Sequence, residues 1–255
     1  MVGEIKVLGV KITPITGRGL NEAIGDIIRA RKKELVLNVN VHAINQAMKY
    51  PWMRDLFNGA AIVFCDGYGV LLGARILGHA IPERITYADW LWDLSAYCEK
   101  NGFSYYFLGA KEGVAVKAAE KLKERFPRLH IVGVRNGYFN KTGNENKEVI
   151  GEINRVSPDI LIIGFGMPDQ ERWLLEHWEK IDARVALTGG ACFDFISGVM
   201  RRAPRWMSQN GLEWLFRLML EPRRLFMRYM VGNPLFIFRV IKEAITGKVT
   251  HEQKQ

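Results

Sequence analysis

Residues 159–170 of this 255-residue chain read Asp-Ile-Leu-Ile-Ile-Gly-Phe-Gly-Met-Pro-Asp-Gln. The apolar run 159–164 is short enough to be a β-strand that is covered on both faces, and glycines follow it directly. Runs of the same kind occur at residues 35–40, 61–65, 104–108, 130–134 and 184–188. The chain is therefore predicted to contain six buried strands.

Longer amphipathic stretches separate these strands. In residues 87–101, 113–126 and 145–155 the apolar side chains recur every three or four positions, which predicts helices. Strands that alternate with helices at this spacing indicate βαβ units, and so an α/β fold with a Rossmann-like, doubly wound, mainly parallel sheet. Residues 5–12 predict a small additional strand or hairpin. With 48% hydrophobic residues, the chain can bury a full core.

The last fifth of the chain differs from the rest in charge. Residues 201–255 contain eleven Lys or Arg and four Asp or Glu, so seven of the nine net positive charges lie there. The same segment is rich in large apolar side chains, among them Trp206, Trp214, Phe216, Met219, Phe226, Met227, Tyr229, Met230, Phe236 and Phe238. We predict an α/β body over residues 1–202 and a C-terminal basic amphipathic helical appendage over residues 203–255.

Arginines interleaved with bulky apolar side chains suit a surface that is both apolar and anionic, and a bilayer of anionic lipids is the commonest such partner. Nucleic acid is the weaker alternative, because so many Leu, Met and Phe side chains would be unfavourable on an open basic face. Core packing or a homo-oligomer contact is the third alternative. The arginines interrupt every long apolar run, which disfavours a transmembrane helix, and residues 1–12 lack the features of a signal peptide. We expect a cytoplasmic protein that is peripheral on the inner face of the cell membrane.

Ligands of an open parallel sheet bind at the carboxyl ends of its strands. The segments that follow the predicted strands carry polar side chains and glycines: Asn38, Asn40, Asp66, Gly109, Lys111, Tyr138, Gly166, Gln170 and Asp194. The loop 109–113 leads into a predicted helix and indicates an anion site, since a helix N-terminus offers free N–H groups. Asp66 either caps the helix opened by Gly67 or acts as a general base. Asp194 likewise either caps a helix or binds ribose hydroxyls.

Several common sites are disfavoured. The loop 164–169 begins like the dinucleotide motif GxGxxG but has Asp169 in place of the third glycine. There is no Walker lysine motif and no GxSxG, and His42 is interpreted as a structural histidine at a strand end. No Asp-x-Asp pair is present to hold a divalent metal, so we predict neither a metal nor a cofactor.

Taken together and in order, the motifs resemble those of the WecB/TagA/CpsF family of glycosyltransferases over nearly the whole chain. They include Asp66-Gly-Tyr-Gly-Val, Arg84-Ile-Thr, Asn136-Gly-Tyr-Phe, Gly164-Phe-Gly-Met-Pro-Asp-Gln-Glu, Gly189-Gly-Ala-Cys-Phe-Asp, Gly211-Leu-Glu-Trp-Leu-Phe-Arg and Glu221-Pro-Arg-Arg. The resemblance implies an inverting, metal-independent transfer of N-acetylmannosamine, or its uronic acid, from a UDP donor. The implied acceptor is undecaprenyl-diphosphate-linked N-acetylglucosamine, in cell-surface polysaccharide or teichoic acid synthesis.

The resemblance also implies roles for individual residues. Asp66 would be the general base that deprotonates the acceptor hydroxyl, and Arg84 and Gln170 would line the donor pocket. Asn40 matches the family's Thr-Pro-Asn motif, whereas Asn38 stands where that motif has threonine, so the exact sugar and acceptor stay open. We further expect the Gln170 amide to be exposed and free to bind the donor sugar.

The leaving diphosphate needs cationic groups. Arg84 and Lys111 are candidates, together with Arg217, Arg224 and Arg228 of the appendage, whose spacing of seven and four residues predicts one helical face. The alternative to an enzyme is a non-catalytic protein that binds a nucleotide or a polyprenyl phosphate.

Overall fold

The structure is a computed structural model that describes residues 3–252, with side chains described through residue 246. A hairpin of two short strands, β1 (Ile5–Val7) and β2 (Val10–Ile12), precedes the main sheet. The main sheet consists of β3 (Glu34–Val39), β4 (Ile62–Cys65), β5 (Ser104–Gly109), β6 (His130–Arg135), β7 (Ile160–Gly164) and β8 (Val185–Thr188). All its pairings are parallel, in the order β4-β3-β8-β7-β5-β6. Each of the six predicted strands is confirmed to within one residue at either end.

Helices cover both faces of this sheet. They are α1 (Gly17–Arg29), α2 (Val41–Lys49), α3 (Pro51–Gly59), α4 (Tyr68–Ile76), α5 (Tyr87–Asn101), α6 (Val114–Arg125), α7 (Gly143–Val156), α8 (Asp169–His177) and α9 (Cys192–Ser197). Along β7, Leu161 and Ile163 pack into one core cluster, while Ile160 and Ile162 pack into the cluster on the opposite face. A strand buried on both faces is apolar at every position, which is why the run 159–164 identifies it.

The basic C-terminal segment is helical. It contains α10 (Arg205–Gln209), α11 (Glu213–Leu220), α12 (Pro222–Phe226), a π-helical turn (Met227–Val231) and α13 (Gly232–Glu252). Residues 253–255 of the predicted appendage lie outside the described residues. No helix among those described is long and apolar enough to cross a membrane.

Helix α13 packs against the α/β body. Phe236 and Val240 are fully buried and belong to the same core cluster as residues of α2 and α4. Gly73 of α4 permits this contact, because a Cβ there would lie 2.8 Å from the Phe236 ring. Asn45 of α2 donates a hydrogen bond to the Gly232 carbonyl at 2.8 Å. The appendage is therefore fixed to the body by apolar packing as well as by polar contacts, and the boundary at residue 203 stays a prediction.

Candidate active site

A cleft of about 1340 Å³ opens at the carboxyl ends of the sheet strands. Its floor is formed by the loops after β3, β4, β5, β7 and β8, and α11, α12 and the π-helical turn form one wall. Of the site residues predicted from the sequence, the lining includes Asn38, Asn40, Asp66, Lys111, Tyr138, Gly166, Gln170, Asp194, Arg217, Arg224 and Arg228. Gly109 and Arg84 are not among the lining residues.

Asp66 follows β4 directly, and its side chain does not cap a helix. Helix α4 begins at Tyr68 with Gly67 as its N-cap and without a side-chain cap bond. Asn38 Nδ2 instead donates to Asp66 Oδ2 at 3.2 Å, and Asn38 Oδ1 accepts from Thr188 Oγ1 at 3.1 Å. The carboxylate is thus oriented by side chains from the neighbouring strands β3 and β8.

The pKa of Asp66 is raised to about 6, chiefly by burial and then by the nearby carboxylate of Glu213. The positive charges of Arg84 and Arg217 and the hydrogen bond from Asn38 act in the opposite direction. At neutral pH the group is mostly ionised, yet it is more basic than an ordinary carboxylate. These are the properties of a general base that works near neutral pH.

The three appendage arginines do not share one continuous helical face, and that prediction is wrong. Arg217 lies on α11, Arg224 on α12 and Arg228 in the π-helical turn. The helix breaks at Glu221, whose φ of −135° and ψ of 61° are not helical, immediately before Pro222. All three arginines nevertheless line the same cleft, because α11, α12 and the π-helical turn all contribute to its wall.

Arg217 and Arg228 act electrostatically on Asp66 without being in direct contact with a carboxylate of the described residues. Among the described side chains, neither forms a salt bridge, and the Nε atom of each is buried without a hydrogen-bond partner. Burial lowers the pKa of Arg228, and the charges of Arg217 and Arg224 lower it further. Guanidinium groups that form no salt bridge remain available to bind an anion. This wall therefore presents positive charge to the cleft that also contains Asp66.

The expectation that the Gln170 amide is exposed is wrong. The side chain is 1% exposed, and its Oε1 accepts from Gly166 N at 3.2 Å and from Gly190 N at 3.1 Å. Its Nε2 donates to Glu171 Oε1 at 2.8 Å. Burial raises the pKa of Glu171 to about 8, so this carboxyl is mostly neutral at pH 7. Gln170 thus ties together the glycine loops after β7 and β8.

Asn40 and His42 both belong to the start of α2. Asn40 is the N-cap, and its Oδ1 accepts from Ala43 N at 3.1 Å. His42 lies within the first turn of the helix rather than at a strand end. Its pKa is lowered to about 4, first by burial and then by Arg228, so it is neutral at physiological pH.

The cleft also contains the groups predicted to bind a nucleotide. The exposed side chains of Lys111 and Tyr138 line it. Asp194 lies in the first turn of α9, whose N-cap residue is Ala191. Gly109 has a packing role, since a Cβ there would lie 2.6 Å from the backbone of Gly164.

Arg84 lies behind the cleft and contacts the appendage. Its Nη2 donates to Ser208 O at 3.1 Å, and its Nη1 forms a 3.4 Å ion pair with Glu213 Oε2. Glu213 does line the cleft, and nothing in the sequence pointed to it beyond its place in the motif 211–217. Within the part of the chain that the structure describes, no group of three or more His, Cys, Asp or Glu side chains could hold a metal ion.

Comparison with known proteins identifies the family. The model of the glycosyl transferase WecG/TagA/CpsF family matches residues 5–250. An N-acetylglucosaminyldiphosphoundecaprenol N-acetyl-beta-D-mannosaminyltransferase of Bacillus spizizenii is 28% identical over 220 residues, covering 86% of this chain and 83% of that protein. The protein of the same name from Bacillus subtilis strain 168 is 28% identical over 221 residues, covering 87% and 84%. A third, from Staphylococcus aureus strain MRSA252, is 23% identical over 241 residues, covering 94% and 92%. With a family match along almost its whole length and a cleft that pairs a basic carboxylate with unpaired arginines, this chain belongs to the WecG/TagA/CpsF family of glycosyl transferases.

Proposed function

We propose that this protein is an inverting, UDP-sugar-dependent hexosyltransferase. It moves N-acetylmannosamine, or its uronic acid, from UDP to undecaprenyl-diphosphate-linked N-acetylglucosamine for cell-surface polysaccharide or teichoic acid synthesis. The observation that carries the proposal is the carboxyl of Asp66, with a pKa of about 6, in the same cleft as the unpaired guanidinium groups of Arg217 and Arg228. A single displacement at an anomeric carbon needs a base for the acceptor hydroxyl and cations for the leaving diphosphate. The names of the curated relatives support the sugar and the acceptor, since they describe transfer of N-acetylmannosamine to N-acetylglucosaminyldiphosphoundecaprenol.

In this mechanism Asp66 accepts the proton of the acceptor hydroxyl while the oxygen attacks the anomeric carbon. The bond from that carbon to the β-phosphate oxygen breaks, and its electron pair stays on UDP. Arg217 and Arg228 stabilise the charge that develops on the diphosphate, while Asn38 holds the carboxylate in place. In the same proposal Lys111 and Asp194, which line the same cleft, bind a phosphate and the ribose hydroxyls of the donor.

The proposal includes metal independence, because arginines supply the positive charge. Its test is transfer from UDP-N-acetylmannosamine to a lipid-diphosphate N-acetylglucosamine acceptor, with and without EDTA, with UDP-N-acetylglucosamine as the control donor. We expect one UDP released per sugar transferred, at a rate that EDTA does not change. Activity that EDTA abolishes and magnesium restores would contradict metal independence. Binding of UDP without turnover of either donor would favour the non-catalytic binding protein.

We also propose that the protein is cytoplasmic and peripheral on the inner face of the membrane. The support is a stripe of exposed apolar side chains on α13, where Phe238, Ile241 and Ile245 follow one another at spacings of three and four residues. Phe238 is 65% and Ile245 60% exposed, and the exposed Lys242 lies beside them. Apolar side chains next to cations are the pattern of helices that bind anionic lipid surfaces.

Replacing both Phe238 and Ile245 by serine should weaken membrane binding by at least about tenfold, since burying each such side chain contributes about 1.5–3 kcal/mol. The measurement is co-sedimentation with vesicles that contain phosphatidylglycerol, compared with vesicles of phosphatidylcholine alone. Val116→Ser with Leu175→Ser, at exposed apolar positions of the body, is the matched control and should bind like the unaltered protein. Equal losses in both variants would contradict a specific role for α13.

A further inference from the structure

A network of four charged residues joins the appendage to the body at the edge of the cleft. Glu213, at the start of α11, accepts from Arg84 Nη1 at 3.4 Å through Oε2 and from Arg202 Nη1 at 2.6 Å through Oε1. Arg202 Nη2 also pairs with Asp89 in the first turn of α5. We call Arg84, Asp89, Arg202 and Glu213 the Glu213 network. A single carboxylate thus connects a body loop, the segment that leads into the appendage, and α11.

The central pair of this network is largely withdrawn from solvent. The side chains of Arg84 and Glu213 are 18% and 17% exposed, whereas those of the surface pair Arg18 and Glu22 are 90% and 56% exposed. Exposed pairs contribute little to stability, but removing one member of a shielded pair leaves an uncompensated charge behind. The Glu213 network should therefore stabilise the position of the appendage. The exposed pair Arg18–Glu22 should contribute little to the stability of α1.

Arg84 is committed to the appendage through both of its terminal nitrogens. While Nη1 contacts Glu213, Nη2 donates to the carbonyl of Ser208 at 3.1 Å and to its hydroxyl at 3.3 Å. These contacts lie on either side of the turn between α10 and α11. These contacts indicate that Arg84 stabilises that turn. The family resemblance implies a different role, in which Arg84 contacts the donor directly.

Glu213 and Arg217 are four residues apart on α11, so they lie on the same face of the helix, and both line the cleft. Fixing Glu213 therefore fixes where Arg217 points. We infer that Glu213 is a positioning residue whose carboxylate, held by Arg84 and Arg202, sets α11 so that Arg217 faces the cleft that contains Asp66. The inference deepens the proposed function and rests on it for its kinetic consequences.

The carboxylate of Glu213 should also affect how kcat/KM falls at low pH, because it raises the pKa of Asp66. The charged groups that act on Asp66 are Glu213, which raises its pKa, and Arg84, Arg217 and Arg228, which favour the ionised form. The other titratable neighbours are Tyr87 and Cys65, and both are neutral near pH 6 because burial raises their pKa values. Neutralising Glu213 should therefore lower the pKa of Asp66 and extend activity to lower pH.

The test is a double-mutant cycle in the full-length protein with Glu213→Gln and Arg84→Met. Each single variant should speed amide hydrogen exchange in residues 205–220 and lower kcat by about tenfold, with the KM for the donor within about threefold. Because both substitutions remove the contact between Arg84 and Glu213, the double variant should lose clearly less activity than the product of the two single losses. Glu213→Gln should also shift the acid limb of kcat/KM to lower pH. The same cycle on Arg18→Met and Glu22→Gln is the control and should leave every readout unchanged.

Two results would overturn the inference. One is unchanged exchange in residues 205–220 of Glu213→Gln. The other is a set of effects that multiply, with Arg84→Met mainly raising the KM for the donor, which would place Arg84 directly on the donor. If the unaltered protein transfers no sugar, the proposed function fails, but hydrogen exchange still decides whether the Glu213 network holds the appendage.

Discussion

Replacing Asp66 by asparagine should lower kcat by roughly a hundredfold or more, which is the scale of general-base catalysis, while UDP affinity changes by less than about threefold. Asparagine has nearly the same size and can still accept the hydrogen bond from Asn38, so the shape of the cleft should be preserved. It cannot accept a proton from the acceptor hydroxyl. Steady-state kinetics and calorimetric titration with UDP measure the two quantities separately.

The pH dependence provides a second measure of the same role. The pKa of Asp66 is about 6, so kcat/KM should rise with pH through that value as the carboxylate ionises. Asp194→Asn is the matched control, because it neutralises another carboxylate of the cleft; it should mainly raise the KM for the donor. An Asp66→Asn variant that keeps more than about a tenth of the activity would exclude Asp66 as the base.

Loss of activity in this variant should not come from loss of stability. The pKa of Asp66 in the folded protein lies above its ordinary value of 3.8, so the folded state holds the proton more tightly than the unfolded state does. Ionisation therefore costs folding free energy as the pH rises from about 4 through about 6. Asparagine avoids this cost, and Asp66→Asn should melt at the same or a higher temperature than the unaltered protein at pH 7.5.

Replacing both Arg217 and Arg228 by methionine should lower kcat by about a thousandfold, because removing one preorganised group that stabilises developing charge already costs about a hundredfold to a thousandfold. Methionine keeps much of the side-chain volume, and it removes two cations that form no salt bridge among the described side chains. The arginines repel each other but attract the carboxylate of Asp66, so these contributions oppose each other and the melting temperature should change little. Single-turnover transfer and thermal unfolding, measured on the same preparation, test both expectations.

Arg223→Met is the matched control for this variant. Arg223 lies on α12 beside Arg224, but it is exposed and does not line the cleft. Its replacement should change kcat by less than about twofold, as expected for a solvated surface charge. If Arg223→Met were as inactive as the double variant, the arginines would act through general charge and not through their positions in the cleft.

The sequence was sufficient to predict the sheet. A parallel strand buried on both faces is apolar at every position, so the runs that became β3 to β8 could be found from neighbouring residues alone. The rule that ligands bind at the carboxyl ends of parallel strands then placed Asp66, Lys111 and Asp194 at one edge, and the structure has all three in the same cleft. Both steps depend only on residues that are close in the chain or on the general geometry of sheets.

The side-chain partners could not be predicted in this way. The position of Gln170 after a turn predicted an exposed amide. In the structure the amide is buried, and its oxygen accepts a hydrogen bond from Gly190 of the loop after β8. Arg84 looked free, but its partner Glu213 is 129 positions further along the chain.

By itself, the sequence determined the order of strands and helices along the chain, the basic appendage and the polar residues at the strand ends, because local burial patterns and backbone preferences encode these features. Only the tertiary structure decided which charges are paired and which are left free. That outcome depends on distances between groups far apart in the chain, and the electrostatic energy of a buried charge is set by those distances.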